Sequence, residues 1–135
     1  MEFFTWKKGE LVQFTPHFNS KEFECKCENT DCIDQKISKE LIEKLEKCRL
    51  EFKQSVIITS GYRCSKHNKS IGGAPKSQHV LGNAVDSRPK TLTTDTMDEW
   101  TKIIASTFKA IGIAQSFVHA DVRKVEGKAR KIWHY

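Results

Sequence analysis

The sequence predicts an α+β domain in which helices pack on a small, mainly antiparallel sheet. Three observations predict it. Two stretches carry apolar residues at helical three- and four-residue steps, and three short stretches are β-branched or alternate apolar with polar residues. Glycines and prolines punctuate the boundaries between them. No repeat, low-complexity run or linker divides the 135 residues, so 1–135 reads as one domain, with 1–16 as an N-terminal extension of unspecified order.

Residues 1–24 are rich in Phe and Trp without steady periodicity, and Asn19 or Ser20 caps a short helical turn over Lys-Glu-Phe. The polar stretch 24–36, which carries Cys25, Cys27 and Cys32, reads as a loop. Ile37, Leu41, Leu45, Cys48 and Phe52 then mark an amphipathic helix with Ser38 as its N-cap, and Glu40, Glu43, Lys44 and Lys47 form its solvated face. The β-branched run 56–59 is a strand ended by Ser60-Gly61. Residues 64–70 form a short helix stopped by Gly72-Gly73, and 74–82 is loop. Ala84, Asp86 and Arg88 alternate with Val85 and Ser87 in a second strand that Pro89 ends. Thr96 with Glu99 fits a capping box for a second long helix, whose stripe is Met97, Trp100, Ile104 and Phe108 until Gly112 breaks the pattern. The stretch 117–122 alternates as a strand, with Val118, Ala120 and Val122 on one face and Phe117, His119 and Asp121 on the other. After a turn at Glu126-Gly127, residues 129–133 return as a closing strand in a hairpin.

Hydrophobic residues make up 38% and charged residues 30%, the balance of a soluble globular domain. No apolar run approaches the roughly 18 residues of a membrane span. The first residues contain no apolar core of signal-peptide length, so the expectation is synthesis in the cytoplasm without a signal peptide. The net charge of +6 favours anionic partners. Nucleic acid is not expected among them, because basic and aromatic residues do not interleave on any one element.

Five cysteines are present: Cys25, Cys27, Cys32, Cys48 and Cys64. The odd number argues against a complete disulfide framework. Cys25, Cys27 and Cys32, with Cys48 or Cys64 as a fourth, can bind a structural metal, but the spacing is not the paired C-x2-C of common zinc ribbons. One or two disulfides, or free buried thiols, account for the same residues.

The chemistry concentrates in 77–86, Ser-Gln-His-Val-Leu-Gly-Asn-Ala-Val-Asp. His79 and Asp86 are ordinary ligands for a borderline divalent metal, and Gly82 and Ala84 between them do not block their convergence. Two ligands cannot hold a catalytic zinc. His119, left on the polar face of its strand beside Asp121, completes a set of two imidazoles and one carboxylate with room for water. By spacing alone, H-x6-D and H-x-D are weak signals.

The wider pattern is more specific. Ser60-Gly-Tyr-Arg63, Asn68, Gly72-Gly73-Ala74, Ser77-Gln-His79, Gly82, Ala84 and Asp86, then Phe117-Val-His119-Ala-Asp121 and Trp133, resemble the zinc peptidases of the D-alanyl-D-alanine carboxypeptidase and murein endopeptidase family. That family belongs to the lysostaphin, D-Ala-D-Ala peptidase and Sonic hedgehog superfamily, and the resemblance covers roughly 17–134. It implies a Hedgehog/DD-peptidase-like fold, a catalytic Zn2+ on His79, Asp86 and His119, and Arg63 in the cleft holding a substrate carboxylate or the oxyanion. It gives Ser77 a substrate-binding or structural role near the metal loop. Several branches place the catalytic acid three residues before the second histidine, where this chain has Ser116. The nearest acid is then Asp121, which is read as the catalytic acid, the general base, with a partner that only orients His119 as the alternative. His67 and His134 are spare imidazoles.

The resemblance implies a zinc metallopeptidase that cuts peptidoglycan stem peptides, as a D,D-carboxypeptidase or an L-alanyl-D-glutamate endopeptidase. A small chain of this kind resembles a phage or prophage endolysin, a monomer that reaches the wall after release by other means. The alternative is a zinc-containing cell-wall or protein-binding domain that has lost activity. One catalytic zinc is expected, with a second, structural ion on Cys25, Cys27, Cys32 and Cys64 the lesser alternative.

Overall fold

The computed structural model of the protein describes residues 2–127 and 130–135. The chain runs β1 (Phe3–Lys7), β2 (Gln13–Thr15), β3 (Phe18–Asn19), a 3-10 turn over Ser20–Glu22, β4 (Asp34–Ser38) and α1 (Lys39–Phe52). It continues with β5 (Val56–Ser60), α2 (Ser65–Ser70), β6 (Ala84–Pro89), α3 (Thr94–Thr107), β7 (Ala110–Ile113), β8 (Val118–Asp121) and β9 (Lys131–His134). The fold is α+β. Its main sheet has the order β5-β6-β8-β7-β9, antiparallel except for the β7–β9 pair, and two small two-stranded sheets (β1-β4 and β2-β3) lie outside it.

The two long helices form where the apolar periodicity places them. Ser38 caps α1 by accepting from the Leu41 N–H, and Leu41, Leu45, Cys48 and Phe52 are buried. Lys53 ends the helix in the left-handed region at φ 61°. The Met97, Trp100 and Ile104 stripe of α3 packs against α1, with Phe52 and Trp100 ring centroids 5.2 Å apart. Val85, Ile111, Val118 and Ala120 supply the sheet side of this core. The indole Nε1 of Trp100 donates to Ser87 Oγ at 3.0 Å, which satisfies a polar atom on the core face of β6.

Four details differ from the sequence expectations. The α3 cap is Thr93, not Thr96: Thr93 Oγ1 accepts from the Thr96 N–H, and Thr96 supplies the return bond of the capping box. Thr96 and Glu99 both lie inside the helix. Gly112 does not simply end a helical pattern, because it sits in the middle of β7. The end of the stretch read as loop at 24–36 enters β4, which pairs with β1 and buries Gln35 and Ile37. The closing strand is not half of a hairpin: β9 passes β8 and pairs in parallel with β7. Ala129, its expected start, lies outside the described residues. The aperiodic 1–16 stretch forms β1 and β2, and Trp6 and Phe14 pack edge to face, 5.3 Å between centroids.

Candidate metal centre

A single rung crosses all five strands of the main sheet. Ser60 of β5 pairs with Asp86 of β6, Asp86 with His119 of β8, His119 with Gly112 of β7, and Gly112 with Trp133 of β9. Residues on one rung share a face, so strand pairing alone brings Asp86 and His119 side by side. This is the face opposite the helices, as the alternation of Val118 and Ala120 against His119 and Asp121 requires. It is also buried: His119 is 5% exposed and Asp121 2%.

His79 reaches the rung from the loop before β6. Its Nδ1 meets the Gly61 carbonyl at 2.8 Å, which fixes the ring and turns Nε2 toward Asp86 Oδ1 at 3.2 Å. His119 Nδ1 lies 2.9 Å from the same oxygen. A tetrahedral zinc with arms of about 2.0 Å holds its donor atoms about 3.3 Å apart, so both distances to Asp86 Oδ1 suit that ion, and all three donors lie within 4.8 Å of one another. Second partners are in place as well. The far nitrogen of His79 is held by a carbonyl, and that of His119 by Asp121 Oδ2 at 2.7 Å, as is usual for ligating imidazoles.

The electrostatics favour a cation at the convergence point. Burial opposes a charge on Asp86, but hydrogen bonds with His119 and His79 hold its carboxyl well below the usual carboxylate range. Burial likewise opposes charge on Asp121, and His119 and Arg123 overcome it, bringing that group down to about 2. Burial lowers the affinity of His119 for a proton, yet the two flanking carboxylates raise it overall. The imidazole between them attracts positive charge, which a divalent ion supplies in place of the proton.

Arg63 leaves the end of β5 and is braced on three sides. Nε donates to Ser60 Oγ at 3.0 Å, Nη1 to Asn68 Oδ1 at 3.3 Å, and Nη2 to Asp86 Oδ2 at 3.4 Å. Asn68 is itself fixed by donating to the Ala74 carbonyl at 2.8 Å. Gly73 has to be glycine beside it, because a Cβ there would sit 2.1 Å from Asn68 Oδ1. Ser77 Oγ accepts from the His79 N–H at 3.2 Å and also lines the cleft.

The three donors open onto a cleft of about 500 Å³. Trp133 forms its far wall, 5.2 Å from the His119 ring, with Tyr135 beside it. Trp133 occupies the space a side chain at 112 would take, since a Cβ on Gly112 would fall 2.5 Å from the indole nitrogen. Arg63, Lys76, Arg123 and Lys131 make the lining basic, and Asp86 is its one acid among the described residues. Asp121 is sealed from the cleft. Arg123 Nε and Nη2 donate to its two oxygens at 2.8 and 2.7 Å, and the Arg123 guanidinium lies over the Trp133 ring. Ser116 is exposed in the β7–β8 turn and His134 is exposed on β9, both away from the cleft lining.

Residues 16–121 match the family described as Peptidase M15. The chain belongs to the M15 peptidases. No curated protein matches it. The M15 peptidases are zinc-dependent, and the M15 domain here brings together two imidazoles and one carboxylate with the donor spacing such an ion needs. Arg123 and Tyr135 are site residues that sequence reasoning missed. Arg123 was within reach of the same alternation, two residues beyond Asp121. Tyr135 becomes visible only once β9 is known to pair with β7. No helix among the described residues is long and apolar enough to cross a membrane.

Proposed function

We propose that the protein is a zinc metallopeptidase acting on the stem peptides of peptidoglycan. The observation that carries this reading is the rung itself: His119 and Asp86 side by side, His79 closing on them, and Arg63 braced at the edge of the same open cleft. Zinc there would polarise a carbonyl and lower the pKa of a water toward about 7, so that its proton could pass to solvent and the leaving amine could take one back from solvent. His79, Asp86 and His119 would hold it. Arg63 presents its remaining donor edge to a substrate carboxylate or to the oxygen that gains charge during attack. The basic lining suits stem peptides, which carry carboxylates. Trp133 and Tyr135 add an aromatic wall to the same cleft.

Of the two roles open to Asp121, the geometry favours the orienting one. Its carboxylate lies behind His119, on the side away from the convergent donors, and both its oxygens are bonded to Arg123. It is a positioning residue that holds His119 in the tautomer with Nδ1 free. Ser77 positions the His79 loop through the His79 N–H.

D,D-carboxypeptidase and L-alanyl-D-glutamate endopeptidase activity both fit this cleft, and an endolysin role fits either. Mass spectrometry of the products from defined muropeptides tests the reading. Loss of terminal D-alanine means the first and a cut after L-alanine the second. Zinc-loaded protein that leaves every stem peptide intact would overturn it. A second reading, a zinc-containing binding domain without activity, draws on one specific observation: among the described residues, Asp86 is the only acid lining the cleft. Peptidoglycan binding without products in that experiment would establish it.

A further inference from the structure

The cysteines that the peptidase chemistry leaves unused converge on one point. Cys25, Cys27 and Cys32 come from the segment between the 3-10 turn and β4, and Cys64 from the N-cap of α2. Their four sulfurs all lie within 4.8 Å of one another. Four sulfurs about 2.3 Å from a central zinc stand about 3.8 Å apart, and the sulfurs of Cys27 and Cys64 are 3.8 Å apart. All four are free cysteines, with no disulfide among them. Cys48, the fifth cysteine, is buried between α1 and α3 with its thiol toward the Ile103 carbonyl, and is not a candidate.

A second observation is independent of the spacing. Each of the four sulfurs accepts one N–H bond from a different donor. The Cys64 N–H points to Cys25 Sγ (3.3 Å), Lys8 Nζ to Cys27 Sγ (3.4 Å), Gln35 Nε2 to Cys32 Sγ (3.4 Å) and the His67 N–H to Cys64 Sγ (3.4 Å). Thiolates attract such donors, and partners of this kind fix ligand orientation around a metal. Lys8 also brings a positive charge to a cluster that would be dianionic with a divalent ion bound.

We infer that Cys25, Cys27, Cys32 and Cys64 hold a second, structural zinc ion in a four-thiolate site, separate from the histidine–aspartate centre. The ion would tie the 23–32 segment to the turn that carries Arg63. Contacts there already run from one site to the other. The Tyr62 N–H donates to the Phe23 carbonyl at 2.8 Å, a Cβ on Gly61 would lie 2.6 Å from that same oxygen, and the Gly61 carbonyl holds His79 Nδ1. Tetrahedral four-sulfur sites take zinc or iron, so the test must tell them apart.

The test is metal analysis of the purified full chain for zinc and iron, together with intact mass under non-reducing conditions. Two zinc ions per chain are expected in the wild type and in Cys48→Ser. One is expected in Cys27→Ser/Cys32→Ser, and one, at the thiolate site, in His119→Ala. Cobalt replacement of zinc in His119→Ala should give the intense thiolate-to-cobalt absorption of a four-sulfur site, a readout that needs no peptidase activity and no cysteine variant. A zinc content that does not fall in Cys27→Ser/Cys32→Ser, iron as the metal at the thiolates, a mass short by the hydrogens of one or two disulfides, or a cobalt spectrum without thiolate character would each overturn the proposal. Loss of peptidase activity with both zinc ions present would count against the proposed function and leave this site standing.

Discussion

Asp121 stands behind His119: its Oδ2 is 2.7 Å from Nε2, while Nδ1 of the same ring faces Asp86 Oδ1 at 2.9 Å. One imidazole therefore joins two carboxylates, and only one of them is on the cleft side. If Asp121 works through the ring, Asp121→Asn weakens zinc binding roughly tenfold to a hundredfold. Activity measured at saturating zinc then recovers in large part. A general base would behave in the opposite way, leaving zinc affinity intact and lowering kcat by about a hundredfold or more whatever the zinc concentration. Chelator competition and zinc-dependent kinetics on one preparation separate the two.

Arg63→Ala is expected to lower kcat/KM roughly a hundredfold to a thousandfold, the usual cost of removing a donor to developing charge. Zinc content should not change, because Arg63 touches only the outer oxygen of Asp86 at 3.4 Å. Arg63→Lys should restore little, since a point charge cannot keep the bonds to Ser60 and Asn68 together with one to substrate. A variant that loses its zinc would show that Arg63 stabilises the metal centre instead.

Gly112→Ala is expected to push the Trp133 indole out of its place beside His119 and raise KM more than it lowers kcat, because the ligands do not move. The basis is the 2.5 Å that would separate the new methyl from the indole nitrogen. Unchanged KM, with tryptophan fluorescence also unchanged, would mean that the wall tolerates the methyl.

Glu46 fastens the 15–17 turn to α1. Its oxygens take the His17 N–H at 2.8 Å and meet His17 Nδ1 at 2.7 Å. Burial pushes this carboxyl up, but hydrogen bonds from the turn outweigh it and leave the group below its ordinary value of 4.5. A depressed carboxylate contributes stability above its unfolded pKa and loses it as pH falls through the folded one. Glu46→Gln should therefore cost about 1–3 kcal/mol at neutral pH, and the gap to wild type should close as pH drops below 4.5. Urea denaturation of both proteins across that range measures it. A gap independent of pH would point to packing in place of charge.

Much of the site was legible because period-2 and period-3.6 patterns carry it. The stripe from Leu41 to Phe52 and the alternation from Val118 to Asp121 fix which side chains face the core, and the polar remainder marks the other face; Ile37, expected as the first residue of that stripe, lies in β4 before the Ser38 cap. What stayed hidden was long-range. Nothing local in Ala-Ile-Gly-Ile says that β7 lies between β8 and β9, or that β9 runs parallel to it. A glycine in four residues reads as a stop, although here its missing side chain is what admits Trp133. The strand β1 was obscured because Phe3, Phe4 and Trp6 show no clean alternation, two of them being only half-buried. The Thr93 cap was missed because threonines stand at 91, 93, 94 and 96, and several can serve.

The rung from Ser60 to Trp133 has a mechanical consequence. A jaw-like enzyme carries its two walls on separate bodies and shuts them over the substrate. Here the serine that braces Arg63, two of the three donors and the aromatic wall are all strung on one line of the same hydrogen-bonded sheet, so strand pairing sets their spacing. A peptide bound as proposed would meet these positions at a spacing set by the sheet, while the third donor and much of the remaining lining come from the 72–79 loop.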